Sequence, residues 1–119
     1  MLKEDGICLA PTAHILDLAD CTGTVLPHVD SREYVGRCVI GLSLLTPSIM
    51  RLQSCTHPSQ KVSILLPQRS LYLMRRSVRY DYTHALDGGR TLQWRGDILA
   101  RNRRVAILFR DPPFDSNES

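Results

Sequence analysis

Arg104-Val105-Ala106-Ile107-Leu108-Phe109-Arg110 is the stretch on which the fold reading turns. On a strand, successive side chains point to opposite faces. Val105, Ile107 and Phe109 therefore fill one face, while Arg104 and Arg110, six residues apart, share the other. Working outward, Val, Ile, Leu and Tyr recur in short runs separated by Pro, Gly, Asp and Ser, the pattern of brief strands and turns. The expected strands are Ala13 to Ala19, Gly36 to Leu45, Ile49 to Gln53, Val62 to Leu66, Ser70 to Arg75 and Arg103 to Arg110. No stretch keeps an apolar helical period for three turns, although Arg75 to Tyr82 has room for one short helical turn. The expected class is all-β: a sandwich, barrel or jelly roll. Six strands are too few for an eight-stranded jelly roll, so residues 1–119 are expected to form a single domain that is incomplete on its N-terminal side. Its strand edges would then lie open unless another segment or subunit covers them. Asp87-Gly88-Gly89 and Asp111-Pro112-Pro113 mark turns, and residues 112–119 read as a polar tail, frayed from Asp115 to Ser119.

A chain of 119 residues has room for one core and not for two. With 43% hydrophobic and 23% charged residues, it resembles neither a low-complexity repeat nor an unfoldable polar chain. Apolar runs such as Val39 to Leu45 stop well short of the roughly 18 residues a membrane helix requires, so no span is expected. Fifteen Lys and Arg against twelve Asp and Glu leave a net charge of +3, too mild to specify a polyanionic partner. Cys8, Cys21, Cys38 and Cys55 include no C-x-x-C pair of the zinc-site kind and are read as free thiols in a reducing compartment. Met1 to Asp5 carries both charge signs and no apolar run, so no targeting peptide is expected there.

His28-Val29-Asp30 places two metal-ligating side chains at i and i+2, on one side of an extended segment, where they could grip one ion. A third ligand would complete a two-histidine, one-carboxylate triad, which leaves positions open on Fe(II). His84 is the candidate, arriving after Tyr80-Asp81-Tyr82-Thr83; a solvated loop histidine is the alternative. His14 in the first strand and His57 in a turn fit less well. Arg104 and Arg110 on one wall of a barrel would be costly to bury without carboxylate partners. A five-carbon dicarboxylate would satisfy both, one guanidinium fork at each end. The alternative is an edge strand with its arginines in water, as is expected of nearby Arg101 and Arg103.

The order H-x-D, distal His and R-x5-R resembles the AlkB-like branch of the Fe(II)- and 2-oxoglutarate-dependent dioxygenases. The resemblance runs through His28-Val29-Asp30-Ser31, Gly41-Leu42-Ser43-Leu44-Leu45-Thr46-Pro47-Ser48-Ile49-Met50-Arg51-Leu52, Ser70-Leu71-Tyr72-Leu73 and Arg79-Tyr80-Asp81-Tyr82-Thr83-His84. It is strongest toward a mitochondrial group linked to programmed necrosis and fatty-acid metabolism. The resemblance implies a double-stranded β-helix, or jelly roll, with Fe(II) bound by His28, Asp30 and His84. It implies that Arg104 holds the distal carboxylate of 2-oxoglutarate with Tyr72 in the same pocket, and that Arg110 sits near the metal-chelating end. Oxygen is then the second co-substrate, and Tyr80 and Tyr82 would shape the cavity wall beside the iron. The chain departs from the family at Arg76, where a glycine is usual, and in the loop Asp87 to Asp97 with its Trp94. Only 27 residues precede His28, leaving no room there for a nucleotide-recognition lid, so duplex DNA is not the expected substrate and a protein or small molecule is.

Two other functions are compatible with the residues. One is a non-catalytic interaction module that keeps the ligands without turnover. The other is a nucleic-acid binder or demethylase using Arg75, Arg76, Arg79 and Arg95 on phosphates, a set that reads equally as a solvated basic rim.

Overall fold

The computed structural model describes Gly6 and residues 8–113. The expected tail from Asp115 to Ser119 lies outside the described residues. The strands are β1 (Ala13–Leu18), β2 (Val25–His28), β3 (Cys38–Leu44), β4 (Ser48–Ser54), β5 (Lys61–Leu66) and β6 (Ser70–Arg75). A five-residue helix α1 (Arg76–Tyr80) follows, then β7 (Tyr82–Leu86), β8 (Thr91–Trp94), β9 (Asp97–Ala100) and β10 (Arg104–Arg110). Two four-stranded antiparallel sheets, ordered β1-β10-β3-β6 and β2-β7-β4-β5, make the all-β jelly-roll layering, and β8-β9 is a separate hairpin. Among the described residues no helix is long and apolar enough to cross a membrane.

All six expected strands are present with ends shifted by at most two residues, but the expected strand count was too low. Residues 82–86 carry Tyr, Thr and His and read as a polar approach to a turn, yet they form β7, which is paired on both sides. Val25–His28 contains Pro27, which lacks the N–H a central strand must donate; β2 accordingly lies at an edge, bonded only to β7. With β2 and β7 the described residues supply both four-stranded sheets.

One core joins the two layers. Leu18, Val39 and Met74 from the first sheet meet Met50, Leu52, Leu66 and Leu86 from the second. Strand alternation divides the residues of β10 as its sequence requires. Arg104 and Ala106 are fully buried on the inner face. Ile107 lies in an outer row that runs Ile15, Ile107, Leu42, Leu71 across all four strands. The ends of that row are open to solvent, with Ile15 71% and Leu71 68% exposed.

Arg76, where the resemblance expects glycine, has φ 55°, the left-handed region that glycine enters freely and other residues enter at a penalty. The backbone keeps the glycine conformation although the side chain has changed. The four cysteines are free thiols, as read from their spacing.

Candidate functional site

The register of β2 and β7 sets His28 directly opposite His84, so both imidazoles project from one face, ring centroids 4.2 Å apart. Asp30, two residues past the end of β2, turns back toward them. Its Oδ1 lies 3.2 Å from His28 Nε2 and 4.0 Å from His84 Nε2. The ligand atoms of the three residues all lie within 4.8 Å of one another.

The protonation of His28 follows from its other nitrogen. Nδ1 sits 2.8 Å from the carbonyl oxygen of Leu26, which can only accept, so Nδ1 carries the proton. In the neutral ring Nε2 is then a lone pair aimed at a carboxylate oxygen, and two acceptors at that separation need a proton or a metal ion between them. Burial, chiefly, pushes the His84 pKa below the ordinary histidine value; the charges of His28 and Arg79 act in the same direction and Asp30 opposes them. Neutral imidazole is the form that ligates metals.

Donor set and spacing fit a first-row divalent ion. Metal bonds of about 2.1 Å at right angles put neighbouring ligand atoms about 3 Å apart. His28 and Asp30 already have that spacing, and His84 has to close on Asp30 by about 1 Å, from the observed 4.0 Å.

The triad lines a cavity of about 230 Å³ together with Tyr72, Arg110 and aliphatic side chains that include Leu16, Val39, Met50 and Leu108. Tyr72 reaches its place because Gly41, its cross-strand partner, has no side chain; a Cβ there would overlap Cζ, Oη and Cε1 of the ring. Burial raises the Tyr72 pKa, and the neighbouring Arg104 guanidinium partly offsets this. Arg104 itself does not line the cavity. It is fully buried beside Tyr72, its Nε donating to Ser43 Oγ at 3.1 Å, and Nη1 and Nη2 have no hydrogen-bond partner among the described residues. Nε of Arg110 is likewise buried without one. Thus Arg110, Tyr72 and the triad share one cavity, and Arg104 adjoins it through Tyr72.

Several expectations are corrected here. Arg101 is fully buried rather than solvated, and its Nη1 donates to the carbonyls of Cys21 and Asp87. Arg103 is exposed, in a two-bonded pair with Asp17. Arg79, placed above among cations free to meet phosphates, is only 3% exposed and spends its donors on backbone carbonyls of Gly36, Asp30 and Val35. Tyr80 and Tyr82 do not line the cavity. The guanidinium groups of Arg32 and Arg79 both lie over the Tyr80 ring, at 4.6 and 4.7 Å from its centroid, and Tyr82 packs on the core. His14 and His57 are exposed and lie outside the cluster. Sequence reasoning missed Asp111, a buried carboxylate that accepts from the backbone N–H and Nε of Arg37. Its position in the Asp-Pro-Pro turn marked it only as punctuation.

The sequence of residues 10–110 matches the family model of the 2OG-Fe(II) oxygenase superfamily. The chain belongs to that superfamily. It is 37% identical over 108 residues to the mitochondrial alpha-ketoglutarate-dependent dioxygenase alkB homolog 7 of Bos taurus, covering 91% of this chain and 48% of that protein. The same protein of Mus musculus is 38% identical over 109 residues, covering 92% and 48%. An uncharacterized protein of Acanthamoeba polyphaga mimivirus is 32% identical over 85 residues, covering 71% and 40%. The chain thus spans about half the length of the curated relatives it matches. The superfamily implies Fe(II) and 2-oxoglutarate, and His28, Asp30 and His84 are the candidate metal-binding cluster among the described residues.

Proposed function

We propose that this chain is a single 2OG-Fe(II) oxygenase domain, the C-terminal part of an AlkB-type fold, in which His28, Asp30 and His84 bind Fe(II). The observation that carries the proposal is the clustering of three metal-ligating side chains, whose ligand atoms all lie within 4.8 Å of one another. His28 Nε2 and Asp30 Oδ1 face each other at 3.2 Å with no proton to share in the neutral ring, and His84 Nε2 is 4.0 Å from the same oxygen. One divalent ion satisfies all three.

The Leu26 carbonyl fixes the His28 tautomer, so that Nε2 is presented to the ion. Asp30 supplies the negative charge. Arg110, on the cavity wall with an unpaired buried Nε, neutralises the chelating end of 2-oxoglutarate. Arg104, with two unpaired nitrogens, takes the distal carboxylate, and Tyr72 completes that pocket. Bound Fe(II) supplies the redox centre at which O2 is divided between 2-oxoglutarate, which leaves as succinate and CO2, and a substrate C–H bond, which leaves hydroxylated. Aliphatic side chains that include Leu16, Val39, Met50 and Leu108 line the cavity beside the triad. Arg79, only 3% exposed and bonded to backbone carbonyls, is taken out of a phosphate-binding rim, which supports a substrate other than duplex DNA, a protein or fatty-acid-pathway molecule. The relatives' mitochondrial name supports a mitochondrial location and, through the resemblance, a part in programmed necrosis.

The test is an anaerobic titration with Fe(II) and 2-oxoglutarate, read by the charge-transfer absorption of the ternary complex, in the wild type and Asp30→Ala. The absorption is expected in the wild type alone. Its absence from a folded wild type overturns the assignment. Succinate formation in air separates an enzyme from a binding module.

A further inference from the structure

Arg79 is placed where it can govern the metal centre without touching it. It lies on α1, five residues before His84, and its guanidinium crosses to the segment that follows Asp30. Nη1 donates to the carbonyl of Asp30 at 2.8 Å, Nη2 to that of Val35 at 2.9 Å and Nε to that of Gly36 at 2.8 Å. Three nitrogens of one rigid plane therefore hold three carbonyls of one loop, and one of those carbonyls belongs to the carboxylate-bearing residue of the triad. A second fastening runs alongside. Arg32, from the same loop, stacks on Tyr80 at 4.6 Å, and Arg79 covers the same ring at 4.7 Å.

The loop is held from its other side as well. Gly36 N–H donates to the Asp111 carbonyl at 2.9 Å, and the Asp111 carboxylate receives the Arg37 N–H at 2.6 Å. A side chain at Gly36 would overlap Asp111 and the Pro112 carbonyl, so the approach is as close as backbone allows. The loop carrying Asp30 is thus pinned between the end of β10 and α1. Of the two pins, Arg79 is the one continuous with the strand that carries His84.

A guanidinium buried to 3% exposure with carbonyls as its bonded partners is an expensive device. Attraction of the metal does not explain it, because a positive charge beside the site repels a cation. We propose that Arg79 is a positioning residue that fixes the Asp30 backbone relative to His84 and so sets the geometry of the metal-binding triad. The inference rests on the metal-site reading above. It also makes a prediction of opposite sign to the electrostatic one. Removing the charge at position 79 should tighten metal binding if Arg79 acts only through its field, and should loosen it if Arg79 positions Asp30.

The experiment uses Co(II) as the probe, titrated into wild type, Arg79→Lys, Arg79→Met and Asp30→Ala. Affinity and the intensity of the visible d–d bands are the readouts, beside the thermal midpoint of the metal-free protein. Loss of an outer partner of a metal ligand weakens binding by about 10- to 100-fold, and that loss is expected in Arg79→Met and in Arg79→Lys, with altered d–d bands in both. Lysine keeps the charge but cannot span three carbonyls. Should the buried ammonium of Arg79→Lys prevent folding, Arg79→Met carries the comparison, since it buries no charge. Unchanged or tighter Co(II) binding in folded Arg79→Met, or full rescue by lysine, overturns the proposal; a fall in thermal midpoint with unchanged affinity and bands assigns Arg79 a structural role only and overturns it too. Wild type and Asp30→Ala titrating alike refutes the metal-site reading itself, and with it this inference.

Discussion

Gly41→Ala is a single-methyl test of how the cavity wall is built. Alanine in a strand ordinarily stabilises relative to glycine by about 0.5–1 kcal/mol, because the unfolded chain loses freedom. Here the added Cβ would overlap Tyr72 Cζ, Oη and Cε1. Overpacking of a buried position typically costs about 1–3 kcal/mol. The steric effect is the larger, because Tyr72 lies against both Gly41 and the Arg104 guanidinium and its ring has to shift to admit the Cβ. The expected net loss is about 1–2 kcal/mol, which for a domain of this size lowers the thermal midpoint by roughly 4–8 °C. Because the ring has to move, the affinity for 2-oxoglutarate falls about tenfold, equivalent to about 1.4 kcal/mol.

A double-mutant cycle gives the decisive comparison. Tyr72→Val introduces a β-branched side chain suited to the strand but too short to lie over position 41. In that background Gly41→Ala is expected to be neutral or to stabilise by about 0.5–1 kcal/mol, the backbone effect alone. Urea denaturation of the four proteins measures the coupling. Equal destabilisation by Gly41→Ala in both backgrounds, within about 0.5 kcal/mol, would show that Tyr72 does not occupy the space above Gly41, and the pocket reasoning fails with it.

Two further outcomes are expected. Arg104→Met removes a buried cation with two unpartnered nitrogens and replaces it by an apolar side chain of similar length, so the ligand-free protein should hold or gain stability, by about 1–2 kcal/mol in urea, while losing at least a hundredfold in 2-oxoglutarate affinity. A loss of stability beyond about 2 kcal/mol would mean that Arg104 is a structural group. Asp87→Asn breaks the two contacts of Arg51 with Asp87, both at 2.8 Å, but half of each side chain is in water; denaturation should shift by no more than about 0.5 kcal/mol, and a larger change would show that the pair is tied into the Arg101 loop contacts.

The parts of the fold that were legible in the sequence are those where alternation and burial coincide. In β3, Cys38-Val39-Ile40-Gly41-Leu42-Ser43-Leu44 is apolar on both faces, and β10 alternates in step with it. β7 was illegible for a physical reason: of its inward positions Tyr82, His84 and Leu86, only Leu86 is aliphatic, and polarity in a short run reads as a turn. The functional load on the strand hides its strand character. The strand pairing of His28 with His84 could not be read from a separation of 56 positions, which carries no register; the need for a third metal ligand made His84 the candidate, and the family resemblance reinforced it. Buried arginines are the largest gap. Arg79 and Arg101 are held by carbonyls, and an acceptor that every residue possesses leaves no mark in a sequence.

That gap also separates the interior cations by role. Arg79 has a carbonyl on each of its three nitrogens, so its energy is already spent in the ligand-free chain and its function is to hold. Arg104 is the converse. One nitrogen is bonded and two are not; burial, chiefly, pushes its pKa down, the neighbouring Tyr72 opposes this, and the charge of Arg101 adds to the fall. On the proposed reading, a carboxylate entering beside it would supply both the hydrogen bonds and the counter-charge that Arg104 lacks. On the same reading, the even spacing of Arg104 and Arg110 puts both guanidinium groups on the inner side of one strand, where each would take a different carboxylate of a dicarboxylate.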